Sequence, residues 1–206
     1  MTQRGRPNRV ALFQRATDRQ GIFTLKDARQ SGYSQPLVHH FLRTGRFQRV
    51  GRGVYRLAEY PQSETDRFAE LSALLGPDAI LSHESALALY QVSDIAPSEY
   101  HFTLPRSKRY AQPPADDVVI HTVSTPLDRR DIVNRHGFKT TSLARSIVDS
   151  ARMGTAPEQI QVAIQTGLKR GLLQEPDFER ALVSQPARVR TIVDNAIHER
   201  PELTRR

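Results

Sequence analysis

The sequence predicts an α+β protein (α/β in the broad sense) of two domains, and two observations lead to this class. Positive charge is concentrated at the start: through Leu57 there are 12 Lys and Arg against two acids, whereas the other 149 residues hold 18 bases and 20 acids. Apolar residues also recur at helical spacing in some segments and alternate in others. We therefore predict a basic domain over residues 1–57 and a mixed α+β domain with a helical C-terminal part over residues 63–206.

Composition excludes several classes of protein. The chain of 206 residues is 38% hydrophobic and 25% charged, as expected for a globular protein with a core in each domain. Its lack of cysteine excludes disulfides, thiolate metal sites and cysteine catalysis. There is no run of 18 apolar residues and no apolar stretch behind the N-terminus, so we expect neither a membrane span nor a secretory signal. We expect a cytoplasmic protein.

The first 57 residues have the pattern of three helices, a short strand and a hairpin. Thr24 and Ser34 are predicted N-caps, Pro36 suits a first helical turn, and Gly32 supplies a turn between the second and third helices. The predicted order is a helix within 8–19, a strand at 21–23, helices at 25–30 and from 35 to about 43, and strands at 46–50 and 54–57 joined by the turn 51–53. This order is that of a winged helix-turn-helix, in which the turn has the required length and glycine.

The third predicted helix presents polar side chains to DNA if its apolar stripe is buried. Burying Leu37, Val38, Phe41 and Leu42 turns the intervening polar residues outward, where they reach base edges in a major groove. Arginines of the leading arm and of the wing suit phosphates or a minor groove. The candidate DNA-binding residues are Arg4, Arg6, Arg9, Ser34, Gln35, His39, His40, Arg43, Arg46, Arg49 and Arg52. Two alternatives stay open: His39 and His40 as ordinary surface histidines, and the whole module as a protein-docking domain.

In the second domain, each candidate catalytic motif either lacks a required residue or has a simpler structural explanation. His83-Glu84 begins like a zinc-protease helix, but Leu87 stands where the second ligand is needed. Ser82 is better explained as a helix N-cap than as a nucleophile paired with the adjacent histidine. Asp116, Asp117, Asp128 and Asp131 lack the partners of a nuclease site. We therefore predict a protein that is not an enzyme, with no metal and no cofactor.

A basic loop lies between two predicted strands of the second domain, at 100–104 and 118–123. It carries Arg106, Lys108 and Arg109 in a domain that is otherwise slightly acidic. Two explanations stand, a solvated loop and a binding site for an acidic partner.

Four segments, in this order, resemble the AbiEi-type antitoxins of bacterial toxin–antitoxin systems. The resemblance spans roughly residues 8–155, and its more specific part is the helix after Leu81 followed by the Thr-Ser…Asp segment. The segments are Gly21-Ile22-Phe23-Thr24, Gly45-Arg46-Phe47 through Gly51-Arg52-Gly53-Val54-Tyr55, Leu81-Ser82-His83-Glu84-Ser85-Ala86-Leu87-Ala88-Leu89, and Thr140-Thr141-Ser142-Leu143-Ala144-Arg145-Ser146-Ile147-Val148-Asp149.

The resemblance implies a nucleoid-associated repressor of its own toxin–antitoxin operon. Its partners would be double-stranded DNA with inverted repeats upstream of the operon and a nucleotidyltransferase-like toxin, whose direct binding the family leaves open. The second domain would be needed for antitoxicity. The alternatives are a stand-alone winged-helix regulator with a ligand-sensing or assembly domain and, from a different class, a nucleic-acid-modifying enzyme (nuclease).

Overall fold

A computed structural model describes residues 6–108 and 113–198 of the chain. Contacts divide the chain into two units. The first contains the residues up to Ala79 together with Asn134–Lys139, and the second contains Ile80–Val133 and the residues from Thr140 onward. In the described residues, the fold is mixed α+β, as predicted. No helix in this part of the chain is long and apolar enough to cross a membrane.

The first unit is built from helices on a small antiparallel sheet. Its strand order is β1-β3-β2, with Phe23 opposite Tyr55 and Phe47 opposite Leu57. The predicted helices and strands are all present, within one or two residues of the expected ends. The bounds are α1 Arg9–Thr17, β1 Ile22–Thr24, α2 Leu25–Gln30, α3 Gln35–Arg43, β2 Phe47–Gly51, β3 Val54–Leu57 and α4 Asp66–Leu75.

An aromatic cluster holds α3 against this sheet. The Phe47 ring lies 4.8 Å from Phe23 and 5.1 Å from Phe41 of α3, both measured between centroids. Tyr33, in the turn before α3, lies 6.0 Å from the Phe47 ring. Such ring pairs add to the stabilisation from area burial, so the orientation of α3 is fixed by its apolar side.

The helix α4 groups with the first unit, whereas the sequence boundary at residues 57–63 placed it in the second domain. A buried ion pair gives the physical reason. Arg56 of β3 is 5% exposed, and its Nη2 lies 2.7 Å from an oxygen of Asp66 at the start of α4. The same guanidinium donates to the Pro61 carbonyl oxygen over 2.9 Å. A charged residue pointing inward from β3 needs a partner, and within the described residues its ion-pair partner comes from α4 rather than from residues 6–57.

The second unit combines a mixed sheet with a helical C-terminal part. The sheet has strand order β6-β5-β4-β8-β7, in which β5 pairs with β4 antiparallel and with β6 parallel. Residues 134–139 of the β7–β8 hairpin group with the first unit. The bounds are β4 Ile80–Leu81, α5 His83–Tyr90, β5 Tyr100–Pro105, β6 Val118–Val123, β7 Ile132–Arg135, β8 Phe138–Thr141, α6 Leu143–Met153, α7 Pro157–Lys169, α8 Asp177–Ala181 and α9 Ala187–His198.

The C-terminal helices α6 to α9 share one apolar core with α5. Ile147 and Val148 of α6, Ile160 of α7 and Val189 of α9 are fully buried in it. Ser142 caps α6 as its sequence position suggests, since its Oγ accepts from the Arg145 backbone N–H. The helices after residue 155 thus complete the hydrophobic core of this unit.

Candidate nucleic-acid interface

The start of α3 is fixed by the turn that precedes it. Gly32 adopts φ +79°, a conformation that glycine takes at little steric cost. The Ser34 Oγ accepts a hydrogen bond from the Leu37 backbone N–H at 3.4 Å, and Pro36 lies in the first turn. One helix earlier, Thr24 and Asp27 form a reciprocal capping box. Both predicted caps are confirmed, and they set the two helices of the motif.

The outward face of α3 carries the predicted polar residues. Val38 is fully buried, and the other three apolar residues of the stripe pack partly buried on the core. Gln35, His39, His40 and Arg43 are exposed. The amphipathic pattern therefore gives the orientation of this helix correctly, and it leaves these side chains available for contacts with a ligand.

An open groove of about 1230 Å³ joins α3 to the wing. Three of the predicted readers, Gln35, His39 and Arg43, line it together with Gln48 and Arg49 of β2. His40 does not line this groove, and its ring packs 5.5 Å from that of Phe41. Gln48 was missed from the sequence, although the alternation of β2 places it outward beside Phe47.

Arg29 of α2 is a second residue that the sequence interpretation missed. Its Nη2 donates to the Gln35 Oε1 over 3.3 Å, across the turn between the two helices. This bond orients the Gln35 amide so that its NH₂ group remains free to donate. Arg29 thus contacts Gln35 across the turn, and only the fold brings the two together.

The predicted phosphate-binding arginines differ in their surroundings. Arg52 is exposed in the turn of the wing, and Arg6 is exposed before α1. Arg46 lies over the Phe41 ring, 5.5 Å from its centroid. Arg9 forms a surface ion pair with Glu59 at 2.7 Å, so part of its charge is compensated. Arg4 lies outside the described residues.

The basic loop of the second unit is a short 3₁₀ turn after β5. It spans Arg106–Lys108, whose side chains are exposed, and Arg109 lies outside the described residues. Two of the aspartates considered for a nuclease site lie beside arginines instead. Asp128 pairs with Arg130, and Asp131 lies near Arg145 and Arg180. Among the described residues, no group of three His, Cys, Asp or Glu side chains is arranged to hold a metal ion.

The second unit contains a histidine cluster that sequence reasoning did not find. The His83 and His121 rings stack with centroids 3.7 Å apart, and His101 Nδ1 lies 3.0 Å from His121 Nε2. Ser82 occupies the predicted N-cap position of α5, but it is fully buried and its side chain makes no capping hydrogen bond, so that part of the prediction is wrong. Its Oγ instead lies 2.9 Å from His83 Nδ1 and accepts from the Thr103 hydroxyl.

These histidines are held neutral at physiological pH. Burial lowers the pKa of His83 to about 2 and that of His121 to about 4, and neighbouring imidazoles lower both values as well. Burial also lowers the pKa of His101, against smaller opposing effects of Glu84 and Glu99. In the unfolded chain a histidine titrates near pH 6.5.

The cluster predicts a loss of stability in mild acid. Below about pH 6.5 the unfolded state binds protons that the folded cluster does not, so the free energy of unfolding falls as pH falls. Each such proton contributes a slope of about 1.4 kcal/mol per pH unit. Urea unfolding of the full chain followed by circular dichroism at pH 7.5, 6 and 5 measures this slope. His121→Gln should reduce it by up to one proton, whereas Gln35→Ala on exposed α3, which removes no titratable group, should not. Equal slopes for the two variants would contradict the prediction.

Comparison with known proteins bears on both units. Residues 11–58 match the family model described as "Transcriptional regulator, AbiEi antitoxin". None of the curated proteins matches the chain. Among solved structures, the RV2827C protein from Mycobacterium tuberculosis is similar with a TM-score of 0.58 and 16% sequence identity, over 90% of this chain and 75% of that chain. This second likeness shows the fold alone. The family match agrees with the resemblance found in the sequence over residues 11–58.

Proposed function

We propose that this chain is a DNA-binding antitoxin that represses its own toxin–antitoxin operon. The observation that carries the DNA-binding part is the groove in which Gln35, His39 and Arg43 of α3 lie beside Arg49 of the wing. Arginine and amide side chains form bidentate hydrogen bonds with guanine and adenine in the major groove. The excess of ten positive charges before Leu57 favours DNA over a protein partner.

In this proposal the two units have different tasks. The first unit binds inverted repeats upstream of the operon, which places the protein in the cytoplasm on the nucleoid. The second unit counteracts a nucleotidyltransferase-like toxin without catalysing a reaction itself. Its exposed basic turn at Arg106 and Lys108 is the proposed contact for an acidic partner, since loops on rigid strands commonly carry binding groups.

One experiment in cells tests both tasks. The toxin is supplied from a separate promoter, so that repression cannot restore growth, and a reporter is fused to the DNA upstream of the antitoxin gene. The full chain should restore growth and lower reporter expression. The Arg43→Ala variant should no longer lower reporter expression but should still restore growth. Arg43 is exposed on α3 and is distant in sequence from the second unit.

Arg106→Glu with Lys108→Glu should give the opposite result, a loss of rescue with normal repression. Exposed loop charges rarely change stability by more than a few tenths of a kcal/mol, so the doubly substituted protein should fold. Full rescue by this variant would remove the basic turn from the proposal. A wild-type chain that neither rescues growth nor represses the reporter would contradict the proposed function.

A further inference from the structure

The second unit contains a polar cavity that the proposed DNA binding does not use. It has a volume of about 470 Å³ and lies between the end of β6 and one face of α6. Charged and imidazole groups line it, namely His83, His121, Arg145, Asp149 and Arg152. Met153 adds an apolar side chain. Ligand pockets in proteins have volumes of about 300–1000 Å³, so the cavity has the size of a site for a small molecule.

The charges around the cavity leave an excess of one positive charge. The Nε of Arg145 lies 2.9 Å from both carboxylate oxygens of Asp149, and its Nη1 lies 3.8 Å from Asp131. Arg180 also lies near Asp131, at 3.6 Å. Arg152, two turns along α6 from Arg145, makes no ion pair within the part of the chain that the structure describes. Among the residues that line the cavity, two guanidinium groups therefore stand against one carboxylate, and the cavity favours an anion.

The histidines add hydrogen-bonding groups without adding charge. His83 is 8% exposed and has φ +53°, a left-handed conformation that is uncommon outside glycine. Neutral imidazole rings each present one N–H and one acceptor nitrogen. A buried, stacked pair of imidazoles on such a backbone is unfavourable for folding, and conformations of this kind cluster at ligand sites. The core of α5 does not require this arrangement, because the apolar residues that follow His83 fill it.

We propose that this cavity binds a small phosphate monoester. A tetrahedral phosphate has enough oxygens to accept from the fixed Arg145, from Arg152 and from an imidazole N–H at once, whereas a carboxylate has only two. Its negative charge compensates the excess of one positive charge around the cavity. The apolar edge formed by Ile120, Val123 and Met153 receives the organic part of the molecule. This site goes beyond the proposed function, because neither DNA binding nor the basic turn uses it.

Binding is measured with the full chain by isothermal titration and by the shift of its melting temperature. The probes are adenosine monophosphate, inorganic phosphate, adenosine and acetate. Saturable binding of adenosine monophosphate, with weaker binding of phosphate and none of adenosine, is the expected result. Binding of adenosine equal to that of its monophosphate, or of acetate equal to that of phosphate, would overturn the assignment. So would the absence of saturable binding by both phosphate-bearing probes.

Two exposed positions test the site without disturbing the core. Arg152→Ala should weaken adenosine monophosphate at least about tenfold, while Arg129→Ala, an exposed arginine of the same unit that does not line the cavity, should leave it unchanged. Met153 is 40% exposed, so Met153→Glu places a carboxylate at the cavity and should abolish binding. Met153→Gln has the same shape without the charge and should bind normally. Equal affinity of the Glu and Gln variants would contradict an anion site.

Discussion

The affinity of the full chain for DNA should fall by roughly 10²- to 10⁴-fold when the salt concentration rises from 0.1 to 0.4 M. Each phosphate neutralised by a side chain releases counterions and contributes about −0.9 to the log–log slope. The exposed arginines of the arm, α3 and the wing give an expected slope on the order of −4 to −7. Fluorescence anisotropy with a labelled duplex at several salt concentrations measures this slope.

A pair of substitutions refines this expectation. Arg52→Ala, in the exposed turn of the wing, should make the slope less steep by about 0.9. Arg9→Ala should change it less, because Glu59 already compensates part of the Arg9 charge in the folded protein. A slope near zero for the wild type would contradict the expected contacts with DNA phosphates. A larger change for Arg9→Ala than for Arg52→Ala would contradict the assigned surroundings of Arg9.

Replacing Asp66 by alanine should destabilise the first unit by about 3–5 kcal/mol. The side chains of Arg56 and Asp66 are only 6% and 15% exposed, so the substitution leaves a buried guanidinium without its carboxylate. The Pro61 carbonyl oxygen, 2.9 Å away, offsets only part of this cost. For the same reason, a fragment that ends near residue 60 should not fold as well as the intact unit.

The matched control is Glu59→Ala, which removes the partner of Arg9 from an ion pair that is largely exposed. Surface pairs of this kind contribute about 0–1 kcal/mol. Urea unfolding of both variants and the wild type at pH 7.5 gives the comparison. If the two variants differed in stability by less than about 0.5 kcal/mol, the role of Asp66 in joining α4 to the sheet would be refuted.

Local patterns were sufficient to predict the helix-turn-helix. The Ser34 cap, the turn glycine and the 3.6-residue stripe of α3 act within a few residues of one another, so they are visible in the sequence. The same stripe predicted the exposure of Gln35, His39 and Arg43, which the structure shows. Boundaries differ from the expected ones by one or two residues at most elements, because helix ends depend on single hydrogen bonds.

Contacts between distant residues were not predictable in this way. The ion pair of Arg56 with Asp66 moves α4 from the expected second domain to the first unit, and neither residue is part of a recognisable motif. His83, His101 and His121 lie about 20 residues apart on α5, β5 and β6, and only the pairing of those strands brings their rings together. Ser82 has the sequence of a cap, yet its hydroxyl bonds to His83 and Thr103 instead.

In the proposed function, α3 reads the sequence of the DNA upstream of the protein's own gene, while the wing contacts the DNA backbone. The most direct test compares affinities of the full chain for this DNA and for random DNA of equal length. Gln35→Ala, His39→Ala and Arg43→Ala should each lower the discrimination by about 1–3 kcal/mol, whereas Arg52→Ala should weaken both complexes about equally. If Arg52→Ala lowered the discrimination and the α3 substitutions weakened both DNAs alike, α3 would not be the reading element.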